Sequence, residues 1–556
     1  MSSPSGAILT GARAAVAALE DAGVSVAFGL PGVHNLPLWR ELNGSPIRLV
    51  GVRHEQTAAY AADGYARASG RLGVALTTTG PGAANTLAAV GEAWASRQPV
   101  VVIATDIATT ARRPGVWRGV LHEATDQAAM FMPVVKDAIR VRSAGEIGPA
   151  VTRAARTALA PPSRPVYVEI PTDLLSTDEG SDPLRVVEGL GSPAPPQPPH
   201  ADREHLERAL ALLERARRPL IWAGGGALQA GAGEAVAALA ERLVAPVILT
   251  FSAKGLLPPG HPCLVESSPH VPEVGALWDE ADVVVAVGSD LDGMMTQGWK
   301  QPQPPHLVAI NVDATDASKN YRPDVLVEAD AREATAALAE RLSERGGLDS
   351  LQRRLRDLNR AVRERITQED PDASGFLAAL EAALPADAVV VCDMCIPGYW
   401  LGGFHRTPGA RKLSYPLGWG TLGCAFPQGL GAALADAGPA VSISGDGGFL
   451  YACGELAAAK QEKIPLTAVI VDDGGYGMIR YDQDLHGDPR EGVDLASPDF
   501  VALAAAFGIR ADSVDGLGEH FAVALKGHVA LREPTLLVAR ASLGPPPNVS
   551  PRWYRR

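Results

Sequence analysis

The sequence predicts an α/β protein of three doubly wound domains in series, each with a parallel sheet covered by helices on both faces. Short runs rich in Val, Ile and Ala alternate along the chain with Ala-, Glu- and Leu-rich stretches of helical period. Unbroken apolar strands between helices are typical of parallel sheets buried on both faces. A length of 556 residues suits about three such domains. The clearest predicted strands are residues 73–77, 100–105, 219–223, 282–287, 307–312, 388–392, 440–444 and 466–471.

Two polar stretches separate the predicted domains. Residues 176–202 include a Pro-rich string that neither a helix nor a central strand accepts. Residues 344–374 include a charged helical stretch before the next apolar block. We therefore predict domains at 1–180, 200–345 and 370–545, followed by a tail at 546–556. This aromatic, Pro-rich tail is a candidate lid over a site entrance, or else a surface anchor.

The composition excludes several classes of function. Hydrophobic residues make up 46% of the chain and charged residues 20%, as in globular proteins, and the net charge is −13. This acidity argues against nucleic acid or an anionic membrane as the main partner. Five cysteines indicate a reducing compartment rather than a disulfide framework. With no signal-peptide pattern and no long apolar run, we expect a cytoplasmic location.

Acidic residues follow two consecutive predicted strands in the last domain. Gly445-Asp446-Gly447 ends one apolar run, and Asp472-Asp473 ends the next. Glycine allows the backbone to approach an anion closely, and a following helix N-terminus offers unpaired N–H groups. Carboxylate oxygens are the ligands that Mg²⁺ prefers, with phosphate oxygens completing its shell. The pattern predicts a site for a metal ion and a diphosphate.

The first domain carries a second candidate site. Glu55 follows a predicted strand at 47–52 and opens an Ala-rich helix. Residues 77–85 form a small-residue loop that leads into another helix, which suits close approach of a ligand. By themselves, these features are equally explained by a helix-stabilising acid and a plain turn.

Six short strings follow one another along the chain. They are FGLPG at 28–32, RHE at 53–55, ADGYAR at 62–67, GPG at 80–82, DQ at 126–127 with PVVK at 133–136, and GTLGCAFP at 420–427. In this order and spacing they make the chain resemble acetolactate synthase and its relatives, the thiamine-diphosphate-dependent family that includes pyruvate, indolepyruvate and benzoylformate decarboxylases. The resemblance extends from about Gly6 to Ala541.

This resemblance implies pyrimidine-binding, central and diphosphate-binding domains in that order. It also implies a homodimer or homotetramer whose cofactor lies between the first domain of one subunit and the third of another. Glu55 would bind N1′ of the cofactor's pyrimidine, and Asp446, Asp473 and the carbonyl of Gly475 would hold Mg²⁺. Leu422 would support the bent cofactor, and the Gly420 carbonyl would hold its 4′-amino group. The resemblance assigns these further residues to thiamine diphosphate: Gly80, Pro81, Asn85, Gly445, Gly447, Gly448, Tyr476, Gly477, Met478 and Ile479.

The chain departs from the acetolactate synthase pattern in four places. Asp473 replaces the usual metal-binding Asn and still offers a side-chain oxygen. Asp482 stands where these synthases carry a Trp that shapes the acceptor pocket. An acid there suits a basic 2-oxo acid such as the keto analogue of arginine, or it is a solvated loop carboxylate. Residues 395–397, Cys-Ile-Pro, replace Gly-Gln-His. His122 lies in Leu-His-Glu where the synthases have Phe-Gln-Glu, and it is a candidate proton donor or acceptor, or a structural histidine.

The central domain lacks a dinucleotide fingerprint. Gly224-Gly225-Gly226 follows a strand without the full Gly-x-Gly-x-x-Gly spacing. Acetolactate synthases bind FAD here with an Arg-Phe-Asp-Asp-Arg stretch, whereas residues 289–294 of this chain have neither arginine. We therefore expect no FAD. The lone Cys-x-x-Cys at 392–395 is interpreted as a coincidence.

Taken together, these patterns predict Mg²⁺- and thiamine-diphosphate-dependent decarboxylation of a 2-oxo acid. The product is an aldehyde or, with a carbonyl acceptor, a ligated ketone. An alternative is acetolactate synthase proper, which joins two pyruvates. A second alternative is a catalytically silent cofactor-binding homologue, against which the retained Glu55 and Asp446 argue.

Overall fold

The computed structural model describes residues 10–113, 115–177 and 197–546. The described chain contains three six-stranded sheets, and the paired strands of each run parallel. It divides into two compact units. The first comprises the described part of Met1–Gln197 together with Pro427–Asp436 and Ala452–Ile464. The second comprises the described parts of Pro198–Phe426, Ala437–Tyr451 and Pro465–Arg556.

The first sheet has the strand order β2-β1-β3-β4-β6-β5. Every residue of its central strands β3 and β4 is buried, as expected for an apolar strand covered on both faces. Its strands are β1 (Val26–Gly29), β2 (Arg48–Gly51), β3 (Gly73–Thr77), β4 (Val100–Asp106), β5 (Asp137–Arg140) and β6 (Val166–Pro171). The accompanying helices are α1 (Gly11–Asp21), α2 (Leu36–Leu42), α3 (Glu55–Ser69), α4 (Pro81–Ala84), α5 (Leu87–Ala95), α6 (Ile147–Leu159) and α7 (Thr172–Leu175).

The second sheet has the order β12-β11-β10-β7-β8-β9. Its strands are β7 (Pro219–Ala223), β8 (Val247–Leu249), β9 (Leu264–Val265), β10 (Val283–Val287), β11 (Leu307–Asn311) and β12 (Val325–Glu328). Its helices are α8 (Arg203–Arg215), α9 (Gly225–Gln229), α10 (Gly233–Leu243), α11 (Pro272–Glu280), α12 (Ala314–Ser318) and α13 (Ala331–Arg341). The long, charged α14 (Leu348–Glu369) follows, and its buried Leu351, Leu355, Val362 and Ile366 form one apolar stripe.

The third sheet, β14-β13-β15-β16-β18-β17, repeats the order of the first. Its strands are β13 (Val389–Cys392), β14 (Leu413–Ser414), β15 (Ala440–Gly445), β16 (Leu466–Asp472), β17 (Arg510–Asp515) and β18 (Thr535–Arg540). The helices in this part of the chain are α15 (Pro371–Ala383), α16 (Ile396–Phe404), α17 (Ala425–Ala432), α18 (Asp446–Leu450), α19 (Leu456–Gln461), α20 (Gly477–His486), α21 (Phe500–Ala506) and α22 (Glu519–Ala530).

The strand orders place three topological switch points. The order reverses between β1 and β3 in the first sheet, between β7 and β10 in the second, and between β13 and β15 in the third. In open parallel sheets, ligands bind at the carboxyl ends of the strands on either side of such a point. The loops after these six strands are therefore the first places to look for a site.

The predicted fold class is confirmed. The eight predicted strands are present, and their ends agree with the prediction to within one residue. Each sheet lies inside one predicted domain range, while the ends of those ranges stay predictions. Residues 547–556 of the proposed lid, and most of the Pro-rich segment, lie outside the described residues. Among the described helices, none combines the length and apolar character needed to cross a bilayer.

Candidate active site

The predicted metal ligands lie at the carboxyl ends of two paired strands. Gly445 of β15 is paired with Val471 of β16, so Asp446 and Asp473 follow neighbouring strands. Asp446 is completely buried at the start of α18. Its Oδ2 accepts a hydrogen bond of 2.8 Å from the Ser497 hydroxyl, while no hydrogen bond of normal geometry reaches its Oδ1 from the described residues. A buried carboxylate oxygen in this state is suited to binding a cation.

Asp473 provides a second carboxylate at the same edge. Its side chain lies against the start of α20, where a Cβ on Gly477 would overlap its Oδ2. Burial, and then the charge of Asp446, raises the pKa of Asp473 to about 6. Burial likewise raises the pKa of Asp446. Two acids that hinder each other's ionisation are suited to sharing a divalent cation.

The donor set fits Mg²⁺ bound together with a diphosphate. Among the described residues, no group of three or more His, Cys, Asp or Glu side chains surrounds a metal position. Mg²⁺ is commonly bound by one or two carboxylates and by phosphate oxygens of a ligand. Asp446, Asp473 and the Gly475 carbonyl would therefore leave room in the coordination shell for phosphate.

The loop after Asp473 is held from two sides. Tyr476 N–H donates to the Val493 carbonyl, and Leu495 N–H donates to the Gly474 carbonyl, both at 2.9 Å. From α20, the Arg480 guanidinium donates to the same Gly474 carbonyl at 2.9 Å. These bonds fix the backbone at the end of β16, so the site does not depend on a free loop.

A cavity of about 270 Å³ lies beside these carboxylates. Three helices, α16, α18 and α20, begin at its wall, and their N-cap residues Cys395, Gly445 and Tyr476 make no side-chain capping bond. Uncapped helix N-termini present free N–H groups and favour an anion. The wall also includes the apolar side chains of Ile396 and Leu543. The cavity thus combines anion-binding groups with an apolar surface.

The structure brings most of the predicted diphosphate-side residues to this cavity. Their individual roles stay predictions. Asp482 does not line the cavity; it lies one helical turn after Met478 on α20. The lining includes Gly420, Leu422, Gly445, Gly447, Gly448, Asp473, Gly475, Tyr476, Gly477, Met478 and Ile479.

Sequence reasoning missed two residues here. Asp393 lies at the end of β13, fully buried, and its Oδ1 accepts from Ala425 N–H at 2.7 Å. Burial raises the pKa of Asp393. An acid directly after a buried strand was a usable signal, as at Asp446. Ser497, whose hydroxyl lies 2.8 Å from Asp446 and 3.1 Å from Asp472, carries no local signal because it belongs to a distant loop.

The pyrimidine-side candidates belong to the first unit. Glu55 is the first residue of α3 and is 8% exposed. Its Oε2 accepts from the Asn85 amide at 3.0 Å, so Asn85 orients the carboxylate. A Cβ on Gly82 would lie 3.3 Å from Glu55 Oε1, which shows how closely the loop after β3 approaches this acid. The Gly80 N–H donates to Gln127 Oε1 at 2.5 Å, which anchors the same loop.

A second histidine accompanies His122. The rings of His34 and His122 make an edge-to-face contact with centroids 5.3 Å apart. His34 Nδ1 lies 2.8 Å from the Thr79 hydroxyl, and burial followed by the charge of His122 lowers the pKa of His34. His122 has a φ of +66°, a strained value of the kind found at functional sites. His122 stays a candidate, and His34, two residues after the FGLPG string, joins it.

Models of one known family match all three parts of the chain. Residues 9–130 match "Thiamine pyrophosphate enzyme, N-terminal TPP binding domain", 206–338 match its central domain, and 397–539 match its C-terminal TPP binding domain. A probable 2-ketoarginine decarboxylase of Pseudomonas aeruginosa is 37% identical over 510 residues, or 90% of this chain and 88% of that protein. The chain belongs to the thiamine pyrophosphate enzyme family.

Other relatives of this thiamine pyrophosphate enzyme are acetolactate synthases. The enzyme of Mycobacterium bovis is 32% identical over 90% of this chain and 83% of that protein. A probable large subunit from Methanocaldococcus jannaschii is 29% identical over 95% and 91%. The solved 4-hydroxybenzoylformate decarboxylase of Rhodococcus jostii RHA1 superposes with a TM-score of 0.79 at 22% identity, covering 96% of this chain and 99% of that one, and shows the shared fold. This is an enzyme of the decarboxylase and carboligase type.

At the switch point of the central sheet, the backbones of the loops after β7 and β10 pack closely against each other. A Cβ on Gly224 would collide with the Gly288 carbonyl, and one on Gly226 would lie 2.9 Å from the same oxygen. The Gly-Gly-Gly string is therefore required for packing the loops after β7 and β10 against each other. Lys319 pairs with Asp290 at 2.8 Å beside them. That FAD is absent stays a prediction, which this packing supports.

Proposed function

We propose that this enzyme uses thiamine diphosphate and Mg²⁺ to decarboxylate a basic 2-oxo acid, the keto analogue of arginine. The observation that carries the proposal is Asp482. It lies on α20 one turn beyond Met478, which lines the cavity. A carboxylate there would pair with a guanidinium at the far end of a substrate that extends beyond the cavity.

The relatives favour the same substrate. The probable 2-ketoarginine decarboxylase is 37% identical to this chain, whereas the acetolactate synthases of Methanocaldococcus jannaschii and Mycobacterium bovis are 29% and 32% identical. Asp482 also stands at the position where the resemblance expects a Trp in an acetolactate synthase. Both observations support a long, charged substrate rather than a second pyruvate.

In the proposed reaction, CO₂ leaves the 2-oxo acid and a proton takes its place on the carbonyl carbon, which releases the aldehyde. Thiamine diphosphate, when bound, supplies the carbon nucleophile and carries the charge left by CO₂. Asp446 and Asp473 would hold Mg²⁺, and Glu55, oriented by Asn85, would bind the pyrimidine. His122 would hold or transfer the proton, a role that imidazole commonly performs as a general acid or base.

The test compares a basic 2-oxo acid with a neutral analogue of the same length and with pyruvate. Purified enzyme with thiamine diphosphate and Mg²⁺ is given 2-ketoarginine, its neutral ureido analogue and pyruvate, and CO₂ and products are measured by mass spectrometry. Asp482→Asn is expected to lower kcat/KM for 2-ketoarginine about 10- to 150-fold, because a hydrogen bond to a charged group contributes about 1.5–3 kcal/mol. Its kcat/KM for the ureido analogue should change little.

Asp484→Asn is the matched control. Asp484 lies on the same helix but pairs with Arg490 at 2.6 and 2.7 Å, so its loss should not alter the preference. If wild type and Asp482→Asn show the same ratio of kcat/KM for 2-ketoarginine to kcat/KM for the ureido analogue, the assignment of Asp482 is wrong. Acetolactate formed from pyruvate, with no aldehyde from 2-ketoarginine, would instead establish the synthase alternative.

Self-association completes the proposal. Large apolar side chains are exposed beside each half-site: Val33, Trp117 and Leu121 in the first unit are 64–66% exposed, and Trp419 and Tyr451 in the second are 53% and 59% exposed. Exposed apolar groups around a site favour a protein–protein contact. We expect a homodimer or homotetramer by light scattering, and a monomer that binds thiamine diphosphate tightly would contradict a shared site.

A further inference from the structure

A buried glutamate holds the turn that precedes Glu55. Glu455, in the first unit just before α19, is 2% exposed. Both of its carboxylate oxygens lie 3.0 Å from Arg53 N–H, and Oε1 also accepts from His54 N–H at 2.9 Å. One side chain thus binds two consecutive backbone amides more than 400 positions earlier in the chain.

These amides lie where the chain leaves β2 and enters α3. His54 is the N-cap of α3, and its Nδ1 accepts from Gln56 N–H at 3.2 Å. The first N–H groups of a helix have no partner within the helix and must be satisfied from outside. Because Glu55 is the very next residue, the backbone that Glu455 binds sets the direction in which the Glu55 side chain leaves the helix.

The choice of a glutamate for this task is chemically unusual. Burial raises the pKa of Glu455 to about 7, against the lowering effect of the Arg53 and His54 amides and the Thr57 hydroxyl. Burying a carboxylate costs free energy, and a cap within the turn itself would satisfy single amides at less cost. A buried acid from another segment binds two consecutive amides of the turn at once. The turn is then held more firmly than by a bond to one amide, as precise placement of Glu55 requires.

We propose that Glu455 is a positioning residue for Glu55: by binding the Arg53 and His54 amides it orients the carboxylate that faces thiamine diphosphate. The proposal rests on the function proposed for Glu55. On the other side, Asn85 binds the Glu55 carboxylate itself at 3.0 Å. Glu455 thereby holds the backbone just before Glu55, and Asn85 holds the Glu55 side chain.

Three variants separate positioning from stability. Glu455→Gln keeps an oxygen for both amides, and its NH₂ group can donate to the Thr57 hydroxyl, which both donates and accepts. Glu455→Asp keeps the charge but is one methylene shorter. Glu455→Ala removes both bonds. The matched control is Asp282→Ala, because Asp282 likewise binds two consecutive amides, Arg217 N–H at 2.7 Å and Arg218 N–H at 2.9 Å, beside the central sheet.

The readouts are thiamine diphosphate affinity, by calorimetry in the presence of Mg²⁺, and the kinetics of CO₂ release. Partners that orient a ligand-binding group change affinity or activity about 10- to 100-fold when removed. We expect that loss for Glu455→Ala, a smaller loss of kcat with unchanged KM for Glu455→Asp, and near wild-type behaviour for Glu455→Gln. Asp282→Ala should lower the thermal midpoint and leave cofactor affinity unchanged.

Wild-type affinity and kcat in both Glu455→Ala and Glu455→Asp would overturn the proposal, as would equal effects of Glu455→Ala and Asp282→Ala on cofactor affinity. If Glu455→Ala does not fold, Glu455→Asp decides, and an unchanged kcat then overturns it. Glu55→Gln is measured in parallel. If Glu55→Gln keeps wild-type cofactor affinity and kcat, the role of Glu55 itself is refuted. If Glu55→Gln is impaired while the Glu455 variants are unaffected, only the positioning role of Glu455 is refuted.

Discussion

Replacing Asp473 by Asn tests the metal half-site most directly. Burial and the neighbouring charge of Asp446 raise the pKa of Asp473 from 3.8 to about 6. A metal ion binds the ionised carboxylate, so protons compete with Mg²⁺ at this residue. Asn has nearly the same shape and keeps one side-chain oxygen, but it takes up no proton in this range. The substitution therefore removes the titrating carboxyl group at position 473 and keeps one side-chain oxygen that can bind Mg²⁺.

The magnitude follows from the pKa. A carboxyl group with a pKa of about 6 is about 90% ionised at pH 7 and about 10% ionised at pH 5. Apparent Mg²⁺ affinity of the wild type should therefore fall about tenfold more than that of Asp473→Asn between these two pH values. Asp446, whose pKa is also raised by burial, contributes to the pH dependence of both proteins.

The same shift predicts a change in stability. Because the pKa of Asp473 is higher in the folded protein than in the unfolded chain, the folded state holds this proton more tightly. Its ionisation therefore destabilises the metal-free protein above pH 6, and the effect is absent below about pH 4. The shift corresponds to at most about 3 kcal/mol. Without metal, Asp473→Asn should raise the thermal midpoint at pH 8 and leave it unchanged at pH 4.

Mg²⁺ is titrated by calorimetry at saturating thiamine diphosphate from pH 5 to pH 8, and metal-free melting is followed by circular dichroism. Asp488→Asn, at an exposed position after α20, is the control and should match the wild type in both assays. Parallel pH profiles of Mg²⁺ affinity for wild type and Asp473→Asn would refute the placement of Asp473 at the metal. Identical midpoints at pH 8 would refute the raised pKa.

Three further substitutions test other parts of the site. Ser497→Ala removes the hydroxyl that binds Asp446 at 2.8 Å, and Mg²⁺ affinity measured by calorimetry should fall about 10- to 100-fold. Glu55→Gln should lower kcat for CO₂ release about 10²- to 10⁴-fold with unchanged circular dichroism, because proton transfer to the cofactor is impaired. Gly64→Ala would overlap the Gln428 carbonyl, and a loss of about 1–3 kcal/mol should lower the thermal midpoint. Unchanged values in these measurements would contradict the corresponding contact.

Much of the fold was predictable because buried parallel strands have a local signal. The run at 100–105 and the run at 466–471 are apolar apart from one Thr each, and both are strands within one residue of the prediction. Asp446 and Asp473 were found for a related reason, since an acid at the end of such a strand is conspicuous. Predicting Glu55 as a site residue also required the family resemblance, because an acid at the start of a helix is common and is by itself no sign of a site.

The residues that support those side chains were not predictable. Ser497 reaches Asp446 across 51 positions, and Glu455 reaches Arg53 across 402. His34 meets His122 only because the loops after β1 and β4 lie at the same edge of the first sheet. No local pattern marks these residues, since their role depends on which segments the strand order brings together.

By itself, the sequence determined the α/β class, the strands, the family resemblance and the residues proposed to carry the chemistry, because hydrophobic period and short motifs are properties of neighbouring residues. The tertiary structure alone decided which groups surround those residues. It left Asp446 Oδ1 without a protein hydrogen bond among the described residues, raised the pKa of Asp473, and placed Glu455 on the turn before Glu55. These outcomes depend on burial and on contacts between distant segments, which exist only after the chain has folded.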